Sequence, residues 1–416
     1  MPFSPELMKL AEDAEQLAAD KFREIDRLID KNQWKVIRAF QRHRVSDFHL
    51  QTSTGYGYND KGRETLDLVF ADVFGAEAAI VRPHLISGTH TIAAALFGVL
   101  RPGDELLYIT GKPYDTLHKV IGQPNDGTGS LADWGVTFRE VELREDGTVD
   151  WLRVKQALTP RTKLIGIQRS RGYSWRRSFS VAEIGEMVER VKTWRPDVLV
   201  FVDNCYGEFT EELEPPQVGA DIIAGSLIKN PGGGIARTGG YIAGTKNAVK
   251  LSSYRLTVPG IGGEAGAMLG TTRDMFLGLF LSPHTVGQAL KGAVFAAAMF
   301  EQCGFATNPK WNEARSDIIQ AVKWRNEEQL LTFVRSIQQA AAVDSHVTPE
   351  PWEMPGYADP VIMAAGTFIQ GGSLELSADA PVRAPYIAYM QGGLTYSHAK
   401  YGVLTAIANM FGSQQL

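Results

Sequence analysis

The sequence predicts an α/β protein built on a mainly parallel sheet, with a smaller α+β domain behind it. Three observations carry this reading. Apolar runs of strand length alternate with helical stretches from about residue 65, the alternation ends near residue 283, and long helices with an antiparallel-looking pair follow. Before that point, residues 5–43 repeat apolar positions at helical spacing (Leu7, Leu10, Ala11, Ala14, Leu17, Ala18) behind the cap Ser4-Pro5, which predicts a helical arm over 1–60. The stretch ETLDLVFADVF reads as a helix, AAIVRP as a short strand, and SGTHTIAAALFGVL as a helix with a polar start. ELLYIT, VTFREVEL, TKLIGIQ and VLVFVDN then read as strands, separated by the helical DTLHKVIG, VDWLRVKQAL and VAEIGEMVERVKTW. Strands separated by helices imply right-handed crossovers and parallel pairing. DIIAGSLI and GGYIAGT flank a glycine cluster and extend the sheet, giving an expected large domain over 61–283. PHTVGQALKGAVFAAAMFEQC, NEEQLLTFVRSIQQAAA and the expected strand pair in VIMAAGTFIQGGSLELS make up an expected small domain over 284–416.

Composition excludes several classes. At 416 residues, with 44% apolar and 21% charged side chains, the chain has ample core for two domains and is neither disordered nor fibrous. The 42 basic and 47 acidic residues give a net charge of −5 with no long block of one sign, so neither nucleic acid nor an anionic membrane is an expected partner. Cys205 and Cys303 lie 98 positions apart, which is neither a zinc spacing nor a disulfide framework, and a reducing cytosol fits best. The acidic, amphipathic N-terminus resembles no targeting peptide, and no charge-free apolar run reaches spanning length. The expectation is a soluble, cytoplasmic protein. Eight scattered histidines form no ligand pair, so no metal site is expected.

Chemistry concentrates around Lys229 in AGSLIKNPGGG, where a lysine follows an apolar strand and precedes backbone too flexible to continue as helix. Ligands in open α/β sheets bind outside the carboxyl ends of the strands, and a desolvated amine there can lose its proton and attack a carbonyl. Asp203, 26 positions earlier, ends VLVFVDN at the same edge. Pyridoxal 5′-phosphate needs that pair: a lysine for the imine, and a carboxylate that keeps the pyridine nitrogen protonated. The helix start at Gly88 and Thr89 in SGTHT supplies free amides for the phosphate, and Ser226 can add a hydroxyl. Tyr114 in GKPYDTL is a candidate for stacking on the ring, and Gln168-Arg169-Ser170-Arg171 also ends a strand at this edge. Arg383, in ADAPVRAP, suits a substrate carboxylate because a guanidinium matches it with two parallel bonds. Other motifs fail. Ser226-Leu227-Ile228-Lys229 fits the Ser-x-x-Lys of acyl-serine hydrolases, but Pro231 and the glycines forbid the helix it requires, and Gly232-Gly233-Gly234 lacks the P-loop ending.

Taken together, SGTHT, GKPYDTL, IQRSRGYSWR, VDNCYGEF, AGSLIKNPGGGIARTGGYIAG and SLELSADAPVRAPY resemble the pyridoxal-phosphate fold-type I proteins of the methionine gamma-lyase or aluminium-resistance family, relatives of the cystathionine-metabolising lyases. The resemblance spans roughly residues 40–410. It implies a seven-stranded, transferase-like large domain, Lys229 as the imine lysine, Asp203 as the partner of the pyridine nitrogen, Tyr114 as stacking aromatic and acid, and Gly88, Thr89 and Ser226 around the phosphate. In the wider group a tyrosine and an arginine from a neighbouring subunit also reach the phosphate. Tyr58 and Arg63 match them, with Tyr56 as competitor, which makes 1–60 and its junction an inter-subunit segment and implies a homodimer or homotetramer. The implied reaction is elimination from a small sulfur-containing amino acid, as in a methionine gamma-lyase or cystathionine beta-lyase. Transamination, replacement, retro-aldol cleavage and a non-catalytic stress or metal-resistance role stay open. So does the residue that contacts the cofactor's O3′.

Overall fold

A computed structural model describes residues 3–354, 357 and 359–412. The arm is two helices rather than one, α1 (Pro5–Leu17) and α2 (Ala19–Arg42), broken at Ala18. Ser4 caps α1 by accepting from Leu7 N, as the Ser-Pro start predicts. Leu7, Ala11 and Ala14 pack into the core of the second sheet, whereas Ile25, Val36 and Ala39 pack into that of the first, so the arm straddles both.

The first sheet follows. After α3 (Lys61–Phe74) come β1 (Ala78–Arg82), α4 (Gly88–Val99), β2 (Glu105–Tyr108), α5 (Leu117–Ile121), β3 (Thr137–Glu140), α6 (Trp151–Ala157), β4 (Thr162–Gln168), α7 (Val181–Trp194), β5 (Leu199–Asp203), β6 (Ile222–Ser226), β7 (Gly240–Gly244) and α8 (Lys246–Leu256). The seven strands lie in the order β1-β7-β6-β5-β4-β2-β3. Pairing is parallel from β3 through β6, while β7 runs antiparallel to both β6 and β1. β1 and β6 therefore run the same way, and the carboxyl ends of β1, β2, β4, β5 and β6 share one edge. Nearly every residue of β4, β5 and β6 is buried, as expected for parallel strands covered on both faces.

α9 (Thr272–Gln302) begins eleven residues before the helix expected from PHTVGQ and carries Pro283 inside it, so it runs unbroken through the expected change of character at residue 283. Beyond it lie β8 (Ala306–Asn308), β9 (Ile319–Lys323), α10 (Glu327–Gln339), β10 (Val361–Ala364), β11 (Ser377–Pro381), β12 (Ile387–Gln391) and α11 (Tyr396–Phe411). This antiparallel sheet has the order β10-β11-β12-β9-β8. The expected strand in SLELS is instead a loop, and β11 starts at its last residue. Glu375 causes the shift, because its carboxylate turns inward to accept from Phe368 N and Ile369 N, each at 2.8 Å. Period-two alternation splits the sheet's faces: Ala378, Ala380, Ala388 and Met390 pack into the helical core, leaving Asp379, Tyr389 and Gln391 to face the other sheet's edge.

Candidate active site

A cavity of about 390 Å³ lies between the carboxyl edge of the first sheet and the free face of the second. The first sheet brings Gly88, Thr89, Tyr114, Asp203 and Lys229 to it from four different strand ends, and Arg383 stands at its rim. Ser87 caps α4 by accepting from His90 N at 3.0 Å, which aims the helix start at the cavity. A Cβ on Gly88 would meet Ser226 Cβ, Cys205 Sγ and Lys229 Nζ at 3.6, 3.7 and 3.9 Å, so the glycine leaves an open cradle between these groups. Ser226 Oγ is buried beside it without a hydrogen-bond partner.

Lys229 sits three residues past β6, in a turn that only this composition permits. A Cβ on Gly232 would lie 1.6 Å from Leu227 O, so the chain can fold back on itself only with glycine there. Asn230 Nδ2 donates to Tyr206 O and Glu208 O at 3.0 and 2.9 Å, pinning the turn to the loop after β5. Lys229 Nζ stands 4.1 Å from the centroid of the Tyr206 ring. Asp203 is buried at the end of β5, in register with Gln168 of β4, and accepts from Cys205 N at 3.1 Å. Burial raises the Asp203 carboxyl, and the Lys229 charge and the Cys205 amide oppose the rise.

The amine behaves otherwise than desolvation alone predicts. Burial pushes Lys229 down, but Cys205, Tyr206, Asp203 and Tyr114 together outweigh it and hold the amine well above its ordinary range. The protonated amine is thus favoured, and Asp203 lines the same cavity. Tyr114 is fixed at both ends: its amide donates to Gln168 Oε1 at 2.8 Å and its hydroxyl to Thr89 Oγ1 at 3.0 Å. Burial, and then the charge of Asp203, push the phenol upward, so it is a proton donor at neutral pH.

Two expected residues stand elsewhere. Arg63 is buried and its guanidinium is spent on three carbonyls of its own chain, Gly57 at 2.6 Å, Glu264 at 2.9 Å and Gly266 at 3.1 Å. Within one chain the arginine stitches two loops together. Tyr58 lies outside the cavity with its ring exposed, stacked on the exposed Tyr56 at 6.0 Å between centroids. Arg383 is exposed and donates to Asp359 Oδ2 at 2.6 Å. Of the other arginines named from the sequence, Arg169 is buried against Asn204 and Glu211, and Arg171 donates to Asn308 O at 2.6 Å.

Sequence reasoning missed the second wall, where Asp379, Tyr389 and Gln391 join Tyr173 and Tyr206. The only signal for it was the alternation in SADAP and YIAYMQ, which reports a half-buried strand without saying what it faces. Among the described residues no cluster of metal-ligating side chains occurs, and no helix is long and apolar enough to cross a membrane.

The family model for methionine gamma-lyase matches residues 7–411. YnbB, an uncharacterized protein of Bacillus subtilis (strain 168), is 54% identical over 409 residues, covering 98% of this chain and 97% of its own. The solved structure of a candidate cystathionine beta-lyase involved in aluminum resistance, from Listeria monocytogenes, matches with a TM-score of 0.95 at 55% identity, over 97% of this chain and 99% of that one. The pyridoxal-5′-phosphate dependent protein YhfS from Escherichia coli shares the fold, with a TM-score of 0.60 at 16% identity over 92% of this chain and 97% of that one.

Proposed function

This chain belongs to the methionine gamma-lyase family, and from that premise we propose that it is a pyridoxal 5′-phosphate dependent carbon–sulfur lyase acting on a sulfur-containing amino acid. One observation carries the reading: a lysine amine, a buried carboxylate and an open helix start converge on one cavity from separate strand ends.

The residues present fit the cofactor. The unpartnered Ser226 hydroxyl and the cradle at Gly88 suit a phosphate, Thr89 adds a hydroxyl, Tyr114 offers a ring face and Asp203 a charge for the pyridine nitrogen. When bound, the cofactor supplies an electron sink for a carbanion at the substrate's α carbon. Lys229 first has to give up the proton that Asp203 helps it keep, and the same amine then serves as base for the α proton. Tyr114, holding its own proton and anchored through Thr89, is placed to deliver one to the departing sulfur. Asp203 is fixed by the Cys205 amide; burial raises its carboxyl, and a positive group beside it favours the ionised form. Water then completes the reaction to a 2-keto acid and ammonia beside the released thiol. We further propose that the exposed pair Tyr56 and Tyr58 meets a second copy of the chain, which would complete the phosphate side of the site.

The test is direct. The purified protein should carry the visible absorbance of a lysine-bound cofactor and release keto acid from a sulfur amino acid, and Lys229→Ala should abolish both. A Lys229→Ala protein retaining either property would refute the assignment.

A further inference from the structure

The cofactor-side groups leave Asp379, an acid on the opposite side of the cavity, without work. Asp379 projects from β11 into the second wall, opposite Tyr389 of β12 in the sheet register. Burial raises its carboxyl to about 6, against the hydrogen bond from Gln391 Nε2 to its Oδ2 at 2.9 Å, one from Tyr173 and the more distant Lys229 charge, so it is mainly a carboxylate at neutral pH. The arginines at this cavity face other acids: Arg383 pairs with Asp359, and Arg171 with Asp317 and Asn308.

Its neighbours are aromatic. Tyr173 lies 5.3 Å from Tyr389 and 5.7 Å from Tyr357 between ring centroids, and Tyr206 completes the wall, already presenting its ring to the Lys229 ammonium at 4.1 Å. A carboxylate set among π faces is the arrangement that recognises an ammonium group, through an ion pair at one side and ring quadrupoles at the others. A thioether ending in a methyl group gives this wall no charge and displaces water from the carboxylate without replacing it by a cation.

We propose that Asp379 is the specificity-determining residue of this cavity, selecting sulfur amino acids whose sulfur-bound arm ends in an ammonium group over those whose arm ends in an alkyl group. The assignment rests on the lyase reading above and deepens it, since it separates diamino thioethers from methionine as substrate class.

S-(2-aminoethyl)-L-cysteine and S-propyl-L-cysteine are nearly the same size and differ at the arm's end by ammonium against methyl. The cofactor-loaded wild-type protein should favour the aminoethyl compound in kcat/KM by about tenfold or more, and Asp379→Asn should remove that preference through KM while leaving the propyl compound within about twofold. Equal use of the two compounds by the wild type would overturn the proposal without need of any variant, as would an Asn variant that loses both compounds equally. Should neither compound yield keto acid, calorimetric binding of the same pair to the cofactor-loaded protein decides. A binding preference lost in Asp379→Asn keeps the subsite and sinks only the lyase reading, whereas equal binding sinks the subsite.

Discussion

The two walls of the cavity are built by different means. The cofactor wall consists of residues at or just beyond strand ends: Lys229 three past β6, Asp203 the last residue of β5, and Gly88 at the start of the helix that follows β1. Each is placed by its own short segment, so a spacing in the sequence becomes a position in space. The opposing wall consists of residues within or at the end of antiparallel strands, Asp379, Tyr389 and Gln391, placed by the packing of one whole sheet against the edge of another. What separates them is the range of the interactions that fix each side chain. Chemistry carried by strand ends is robust to changes in packing; selectivity carried by a docked face is easily retuned.

That contrast is sharpest at the two acids. Asp203 faces a lysine and Asp379 a substrate arm, so their losses should differ in kind. Asp203→Asn removes the carboxylate opposed to Lys229 and, in the loaded protein, the group expected to hold the pyridine nitrogen positive. Losing a preorganised group that stabilises charge in the reaction costs about a hundredfold or more in kcat, and the fall should be the same for every substrate. Steady-state kinetics on two substrates reads this. A fall confined to one substrate would show that the division between walls is false.

A smaller effect tests the phosphate end. Ser226→Ala removes one neutral hydroxyl and should weaken cofactor retention by about fivefold, in line with the ~1 kcal/mol of a hydrogen bond, with little change in kcat once saturated. Tyr58→Ala should act in the same direction only if a second copy contributes its ring. Dialysis followed by titration with cofactor measures both. If Tyr58→Ala leaves affinity and sedimentation unaltered, the phosphate site is complete within one chain.

Legibility in the sequence follows the same physical line. The alternation of strands and helices, the seven-stranded sheet and the helix start at Gly88 were readable because each rests on local propensity and capping. Lys229 and Asp203 were readable as a pair because parallel strands put their carboxyl ends on one edge. The antiparallel placing of β7 was not, since a short apolar run carries no direction. The start of β11 was misplaced because the fate of Glu375 depends on a loop that closes over it. The contact of Arg63 with the carbonyl of Gly266 was not readable, because nothing nearby in sequence announces it. The raised Lys229 amine was missed for a similar reason: desolvation is expected of any buried lysine, but the groups that override it come from other strands.

A third acid, Glu208, shows what a carboxyl becomes behind the wall, with no cation in contact. It is fully buried, accepts from the Tyr241 hydroxyl at 2.8 Å through Oε1, and leaves Oε2 without a partner. Burial first, and then the nearby Glu214 charge, raise it to about 8. Its folded-state value therefore lies above the unfolded value of about 4.3, and the folded protein holds the extra proton between these limits. The stabilisation is complete below about pH 4.3 and is lost as pH rises from there through 8, the opposite of an acid held down by a salt bridge. Glu208→Gln keeps an acceptor for Tyr241 but cannot ionise. The wild-type melting temperature should drop between pH 6 and pH 9, and the drop should be shallower in the Gln variant, by a few degrees at most for a chain of this length. Because the main-chain carbonyl of Glu208 anchors Asn230 beside Lys229, the same variant should leave the cofactor's visible band unchanged at pH 6, where both side chains are uncharged. Parallel pH profiles for the two proteins would mean that Glu208 is already ionised in the fold, and that a charge can sit behind this sheet without a cation to face it.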